Sequence, residues 1–320
     1  MNTQLTDDEV GIVLSAAVHA PSMHNTQPWR FEVQGPAIDV LLDEERLLPL
    51  EDRSGRAAHV GVGAAVFNIQ VAAAILGHES RIAVQPDPTR TEVTARVFLA
   101  DRSTPVPGLS DLYGVISQRH TYRGPLLDRQ IHPSVRRELN AAAQAEGAEL
   151  HWLAASNDLA ALLAQTDAED LHDEARTDER HNWIGGDRRR DGMPENALGP
   201  QPARPAFVRD LSAGFGSTGR SQAVFETEPN IAVLATAAED TGAWVQAGLA
   251  MQHLLLVATS YGLTASFLDQ LLERPAPRAQ VRDLIGGHDW PQLVIRIGYP
   301  AQSGDHAGRR DWHTSFDRWF

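Results

Sequence analysis

Two stretches of this 320-residue chain, 185 positions apart, repeat one pattern that limits the folds open to it. Residues 55–76 read as a long Ala/Val-rich helix that stops at Gly77. Residues 241–261 read as a second such helix. Under the shift, Gly63 falls on Gly248, Ala65 on Ala250, Ala73 on Ala258 and Gly77 on Gly262. Four matches in fifteen Ala/Gly-rich positions carry little weight alone. The order of elements matches as well: Ala95-Arg96-Val97 compares with Ile295-Arg296-Ile297, after one extra helix in the second copy. The pattern implies a duplicated unit.

Missing residue types narrow the chemistry. The chain has no cysteine, which excludes disulfides, thiolate nucleophiles, iron–sulfur clusters and cysteine zinc sites. It has no lysine either, all 28 basic residues being arginine. That excludes a P-loop lysine, a Schiff base to pyridoxal phosphate and an aldolase-type lysine. Codon bias in a GC-rich genome accounts for the missing lysine, yet the exclusion stands. Any bound phosphate must be held by arginine forks or backbone amides. A net charge of −14 argues against a nucleic-acid partner or a polybasic membrane anchor. No apolar stretch is expected to span a bilayer, and MNTQLTDDEV lacks the basic start and apolar middle of a signal peptide. The expected location is the cytoplasm.

Thr6-Asp7-Asp8-Glu9 is a capping box, with Val10, Val13, Leu14, Ala17 and Val18 following at helical spacing. Short strands are expected at 31–33 and 38–42 about a Gly35-Pro36 turn, then at 81–85 and 93–99. Proline-rich STPVPGLS (103–110) reads as a boundary. Helices at 109–118 and 133–146, a strand at 148–153 and a helix at 156–175 follow it. Residues 176–228, rich in Arg, Gly, Pro and Asp, lack periodicity and read as a functional lid or a disordered loop. Beyond them come a strand at 230–236, the second long helix, a strand at 263–268, a helix at 277–285 and a strand at 292–299. The order is that of an α+β protein.

Several motifs fail on context. GFGSTG (214–219) fits G-x-G-x-x-G, but no strand precedes it and Pro229 follows too soon for a long helix. The thirteen histidines offer no zinc-type spacing, and no G-x-S-x-G elbow occurs. DRRRD (187–191) reads as a solvated loop. Two stretches hold more. In SQRHTYR (117–123), Arg119 and Arg123 sit where both guanidinium groups reach one anion, with Thr121 between them; a charged helix end plus a turn accounts for the same residues. In HAPSMHNTQPWRFEV (19–33), Pro21 and Pro28 stiffen a loop, Trp29 anchors it, and small Ser22 and Thr26 leave room for a planar ligand. Asn25 and Gln27 offer amides to a ring edge. A helix cap with a rigid turn explains Pro21 and Trp29 but not those amides.

At these residues the chain resembles the nitroreductase superfamily of flavin enzymes. APSMHNTQPWRF (20–31) is similar to that family's PSS-x-N-x-QPW-x-F stretch, and SQRHTYRGPL (117–126) to its R-[RH]-S-x-[RK]-x-F start. It resembles the Acg-type actinobacterial branch more closely, through NWIGGDRRRDGMPENALGP (182–200) and GAWVQAGLAMQHLLLVATSYGLTASFLDQ (242–270). The resemblance covers essentially the whole chain.

It implies the nitroreductase fold in two tandem copies forming an intramolecular pseudo-dimer. Residues 1–107 would contribute the ring-covering loop, and 108–320 the phosphate site, with a lid at about 176–228. The implied cofactor is FMN, with NADH or NADPH as donor and a nitroaromatic or quinone as acceptor. Arg119, His120, Thr121 and Arg123 match the phosphate- and ribityl-side residues, and Arg309 or Arg310 a further phosphate-holding arginine. Leu268, Asp269 and Gln270 match the segment near flavin N5, while Pro21, Ser22, Met23 and Asn25 match the loop crossing onto the ring, beside Gln27. Thr121 replaces the usual Ser, and Tyr122 and the absence of Phe near 125 follow the branch rather than the enzymes. The acidic N-terminus and the lack of a second QPW loop leave the complementary site dead, giving one FMN per chain. A monomer with pseudo-two-fold symmetry is expected, with further dimerisation open. The alternative is a catalytically silent, lid-closed protein that sequesters FMN.

Overall fold

The computed structural model describes residues 4–100, 108–185, 188–211 and 219–318. The boundary residues 103–107, and GFGSTG apart from Gly219, lie outside the described residues.

Helix α1 (Asp7–Ala17) starts at the expected capping box: Glu9 N–H donates to Thr6 Oγ1 (3.3 Å), and Thr6 N–H to Glu9 Oε2 (3.0 Å). Strands β1 (Trp29–Gln34) and β2 (Ala37–Leu42) form a hairpin. Helix α2 (Arg56–Ile75) follows, then β3 (Ser80–Val84) and β4 (Val93–Leu99). The second part holds α3 (Pro133–Ala145), β5 (Glu149–Leu153), α4 (Asn157–Leu171) and α5 (Glu174–His181). Two-residue strands β6 (Gln201–Pro202) and β7 (Gln222–Ala223) precede β8 (Asn230–Thr236) and α6 (Thr241–Ser260). Then come β9 (Thr264–Phe267), α7 (Pro275–Leu284), β10 (Trp290–Gly298) and β11 (Phe316–Arg318).

The strands make two main sheets, ordered β11-β1-β2-β4-β3 and β5-β8-β10-β9. All pairings in them are antiparallel except that the tail strand β11 runs parallel to β1. The C-terminus therefore completes the N-terminal sheet. One apolar core runs through both sheets and both long helices. A second cluster, built on Leu159, Leu163, Ile231, Leu271, Val281 and Val294, fills the far side of the second sheet. β8 is accordingly buried along its whole length.

Glycine sets how closely the long helices cross. A Cβ on Gly63 would lie 2.1 Å from the Val245 carbonyl oxygen, and one on Gly248 would lie 2.1 Å from that of Val60. Val60 and Val245 are themselves 185 residues apart, so the contact is reciprocal under the shift read from the sequence. The next turn repeats this: Gln252 donates to Asn68 Oδ1 (2.7 Å), and Phe67 stacks on His253 at 4.7 Å. The two helices meet as two halves of an isologous contact do.

Three expectations need correction. α2 is long and apolar enough to cross a bilayer by length and composition, but most of it is buried against α6 and the first sheet. The helix expected at 109–118 is a 3₁₀ turn, Ser110–Val115; Gly114 and the β-branched pair Val115-Ile116 are weak helix formers. The helix expected at 156–175 breaks after Leu171, because Asp173 caps α5 by accepting the Arg176 N–H (3.3 Å).

Candidate ligand-binding site

The joint between α1 and β1 builds one wall of the site. His24 (φ 48°), Asn25 (φ 56°) and Gln27 (φ 53°) all take left-handed backbone, a cost that non-glycine residues pay only where surrounding structure enforces it. Ser22 Oγ accepts the Gln27 N–H (2.9 Å), and fully buried Trp29 fixes the exit. Behind the loop, Gly61 of α2 lets the helix approach; a Cβ there would come within 3.3 Å of Ser22 Cβ.

Two adjoining cavities open at this loop and share Pro21, Ser22, Thr121 and Arg123. The first encloses about 1090 Å³ of atom-free space, its open mouth included. Met23, His24, Arg56, Met251, Phe267 and Asp269 line it, and Leu198, Val208, Arg209, Leu211, Arg220 and Phe225 close it from the 176–228 segment. The second encloses about 770 Å³ on the same measure and is lined by His19, Asn25, Arg119, His120, Met193, His306 and Arg309.

The second cavity holds cations without counter-ions. Among the described residues, Arg119, Arg123 and Arg309 have no carboxylate within 4.0 Å. Arg119 Nη2 donates only to the His19 carbonyl (3.3 Å), and Arg123 Nη1 to the Ala197 carbonyl (3.1 Å). Arg309 Nη1 reaches its own segment's Ala307 and Gly308 carbonyls. Nε of both Arg119 and Arg309 is buried without a partner. Burial, with Arg309 alongside, pushes Arg119 down to about 9. Burial, with Arg209 adding to it, takes Arg123 to about 10; burial takes Arg309 to about 10. Burial likewise lowers His120, with His306 and Arg119 contributing.

Arg209 shows the contrast. Burial alone would lower it, but Glu273, Glu51 and Asp170 raise it. It grips Glu273 with two hydrogen bonds (2.5 and 3.0 Å), while Arg176 and Arg180 pair with Glu273, Glu51 and Asp170. Three carboxylates that converge closely enough to suit a metal are thus interleaved with three guanidinium groups. This network fastens the 176–228 segment to the body.

Of the residues singled out in the sequence, Pro21, Ser22, Met23, Asn25, Arg119, His120, Thr121, Arg123, Asp269 and Arg309 line these cavities. Gln27, Leu268, Gln270 and Arg310 do not. Gln27 is fully buried and acts as a tie: its Nε2 donates to the Arg190 carbonyl (2.8 Å), and its Oε1 accepts the Arg310 N–H (2.9 Å). Asn25 Nδ2 donates to the carbonyls of Gly192 (2.9 Å) and Gly308 (3.0 Å), which leaves its Oδ1 buried without a partner. Arg310 turns its guanidinium to the Thr314 carbonyl, so Arg309 alone of that pair joins the cluster. Leu268 belongs to the second core, and Gln270 contacts Asp167. His24, Arg56, Arg209 and His306 line the site without having been read from the sequence. His24 lay inside the quoted motif; nothing in the spacing marked the other three.

The profile of the Nitroreductase family matches residues 116–299. The chain belongs to the nitroreductase family. A Mycobacterium tuberculosis protein named "Putative NAD(P)H nitroreductase acg" is 27% identical over 301 residues, 93% of this chain and 91% of that protein. A second M. tuberculosis protein with the same descriptor is 30% identical over 311 residues, 95% and 89% of the respective chains. Both therefore extend well beyond the region the family profile matches. Among solved structures, the nitroreductase with bound FMN from Bacteroides fragilis is similar over 61% of this chain and 91% of its own, at 13% identity and a TM-score of 0.37.

Proposed function

We propose that this nitroreductase-family chain is an FMN-binding flavoprotein that passes electrons from NADH or NADPH to a nitroaromatic or quinone acceptor. One observation carries the reading: three guanidinium groups without carboxylate partners among the described residues, Arg119 buried and Arg123 and Arg309 half-buried, adjoin a largely apolar cavity under a stiff loop. A phosphomonoester dianion beside a planar ring supplies what that arrangement lacks. Both relatives carry names of NAD(P)H nitroreductases, in keeping with this.

Arg119, Arg123 and Arg309 would hold the phosphate, with Thr121 and Ser22 adding hydroxyl hydrogen bonds. The orphaned Asn25 Oδ1 suits a ribityl hydroxyl, and Pro21 to Met23 would lie over the ring. Asp269 lines the ring cavity, while Leu268 and Gln270 support it from behind. When bound, FMN would supply the two-electron chemistry between donor and acceptor. Arg123, which lines both cavities, would on this reading also steady negative charge gathering on the ring.

The same reading makes the chain a fused pair of nitroreductase halves, 1–107 and 108–320, around the reciprocal α2–α6 crossing. The first half starts acidic, MNTQLTDDEV, and offers no arginine cluster before its own loop, so one FMN per chain is expected. The test is an absorbance spectrum and a melting curve of the purified protein with FMN added. Flavin absorbance at one equivalent and a higher melting temperature support the reading; neither appearing would refute it.

The second reading, sequestration, is favoured by the ties across the cover: Asn25 to Gly192, Gln27 to Arg190, Arg123 to Ala197 and Arg209 to Glu273. Anaerobic stopped-flow mixing of the FMN form with NADPH separates the two. Rapid bleaching marks a reductase; bleaching only after the 176–228 segment is loosened marks a store.

A further inference from the structure

We infer that His24 delivers a proton to an acceptor bound in the first cavity, its ring oriented by Glu51. The inference rests on the flavoprotein reading and adds a role that neither the arginine cluster nor the family match assigns.

His24 lines the cavity and is otherwise buried. Its Nε2 is hydrogen-bonded to Glu51 Oε2. Burial alone would raise the Glu51 carboxyl, but His24, Arg209 and Arg180 outweigh that and hold it well below the usual carboxylate range. An ionised carboxylate only accepts, so Nε2 carries the hydrogen in that bond. Nδ1 has no hydrogen-bond partner among the described residues. A ring whose inner nitrogen is bonded to a carboxylate and whose outer nitrogen is free is the arrangement general acid–base catalysis uses. The left-handed backbone at His24 is a strained setting of the kind that gathers at functional sites.

The charged groups around it are fixed. Glu51 Oε1 accepts from Arg180 Nε (2.8 Å) and Nη2 (2.5 Å), with Arg209 at 3.5 Å and Arg176 at 3.9 Å. Asp170 and Glu273 stand behind those arginines. Arg56, Arg123, Asp210, Arg220 and Asp269 also line the cavity, Asp269 pushed up to about 6 by burial. Leu198, Val208, Leu211 and Phe225 give the space an apolar boundary, where a positioned donor replaces water.

Reduction of a quinone to a hydroquinone consumes one hydride equivalent and one proton. The nicotinamide donor loses the hydride with its electron pair and becomes the oxidised dinucleotide. The quinone gains both. The proton comes from Nδ1 of the doubly protonated His24 ring, its N–H bond breaking as the second O–H bond forms, and the ring left neutral takes a proton back from the solvent pool.

The test is His24→Asn, since asparagine tolerates left-handed backbone but cannot cycle a proton. FMN affinity should stay within about twofold. After reduction with dithionite, reoxidation by 1,4-benzoquinone should be at least tenfold slower than in the parent. The parent's rate should fall as pH rises, while the variant's should not. A readout free of turnover is long-range ¹H–¹⁵N NMR of the ¹⁵N-histidine-labelled, FMN-loaded protein: added hydroquinone should shift the His24 Nδ1 resonance. An unchanged rate and pH profile in the variant, or an Nδ1 resonance indifferent to hydroquinone, overturns the inference. Failure of the parent to bind FMN overturns the flavoprotein reading and this role together.

Discussion

A buried guanidinium without a carboxylate costs the folded chain stability, and Arg119 bears that cost with Arg309 beside it. The Arg119→Met substitution should therefore stabilise ligand-free protein by an amount on the order of 1–2 kcal/mol, seen as a higher melting temperature. It should also weaken FMN at least a hundredfold, about 2.7 kcal/mol. Melting curves with and without FMN read both effects; a destabilised variant with unchanged FMN affinity would contradict the assignment. The unpaired arginine cluster was partly legible. With no lysine in the chain, Arg119 and Arg123 are the cations the sequence offers to an anion. Arg309 and Arg310 are neighbours with equal claims in sequence, and only the folded chain separates them: Arg310 turns its guanidinium to the Thr314 carbonyl, while Arg309 lines the cavity. His24 escaped because its direction depends on a left-handed backbone that residue types do not announce.

The α2–α6 crossing makes its own demand. The Gly248→Ala substitution would bring a methyl group to 2.1 Å from the Val60 carbonyl, and the helices must part to admit it. A loss of about 3 kcal/mol or more is expected in urea denaturation. Gly11→Ala is the control: its added carbon meets Trp312 at an ordinary 3.7 Å in a helical position, so stability should hold or rise slightly. Equal losses in the two variants would show that the close approach is not what the glycine serves. Elements with strong local signals were readable, including the capping box at Thr6, the alternation of β4 and the two long helices. Those decided by tertiary contact were not: α4 and α5 merge in the sequence because Asp173 differs little from a tolerated helix residue until its cap forms.

The tail joins the far ends of the molecule. β11 pairs with β1, Arg309 enters the arginine cluster, and Gly308 accepts from Asn25 across 283 positions of chain. A chain ending at residue 305 should still form the long-helix core but lose flavin absorbance, checked by circular dichroism and an FMN titration. Retained FMN affinity would remove the tail from the site. The order of elements and the α+β class were legible because they follow from periodicity. The meeting of residues 19–27, 117–123, 190–209 and 306–310 was expected only through the family resemblance, since no local pattern encodes contacts between distant segments.

That dependence on the tail makes residues 299–307 a point of leverage. A protease cut there would separate Gly308 and Arg309 from β10, leaving β11 and the bonds to Asn25 and Gln27 to hold the tail against the loop at residues 19–27.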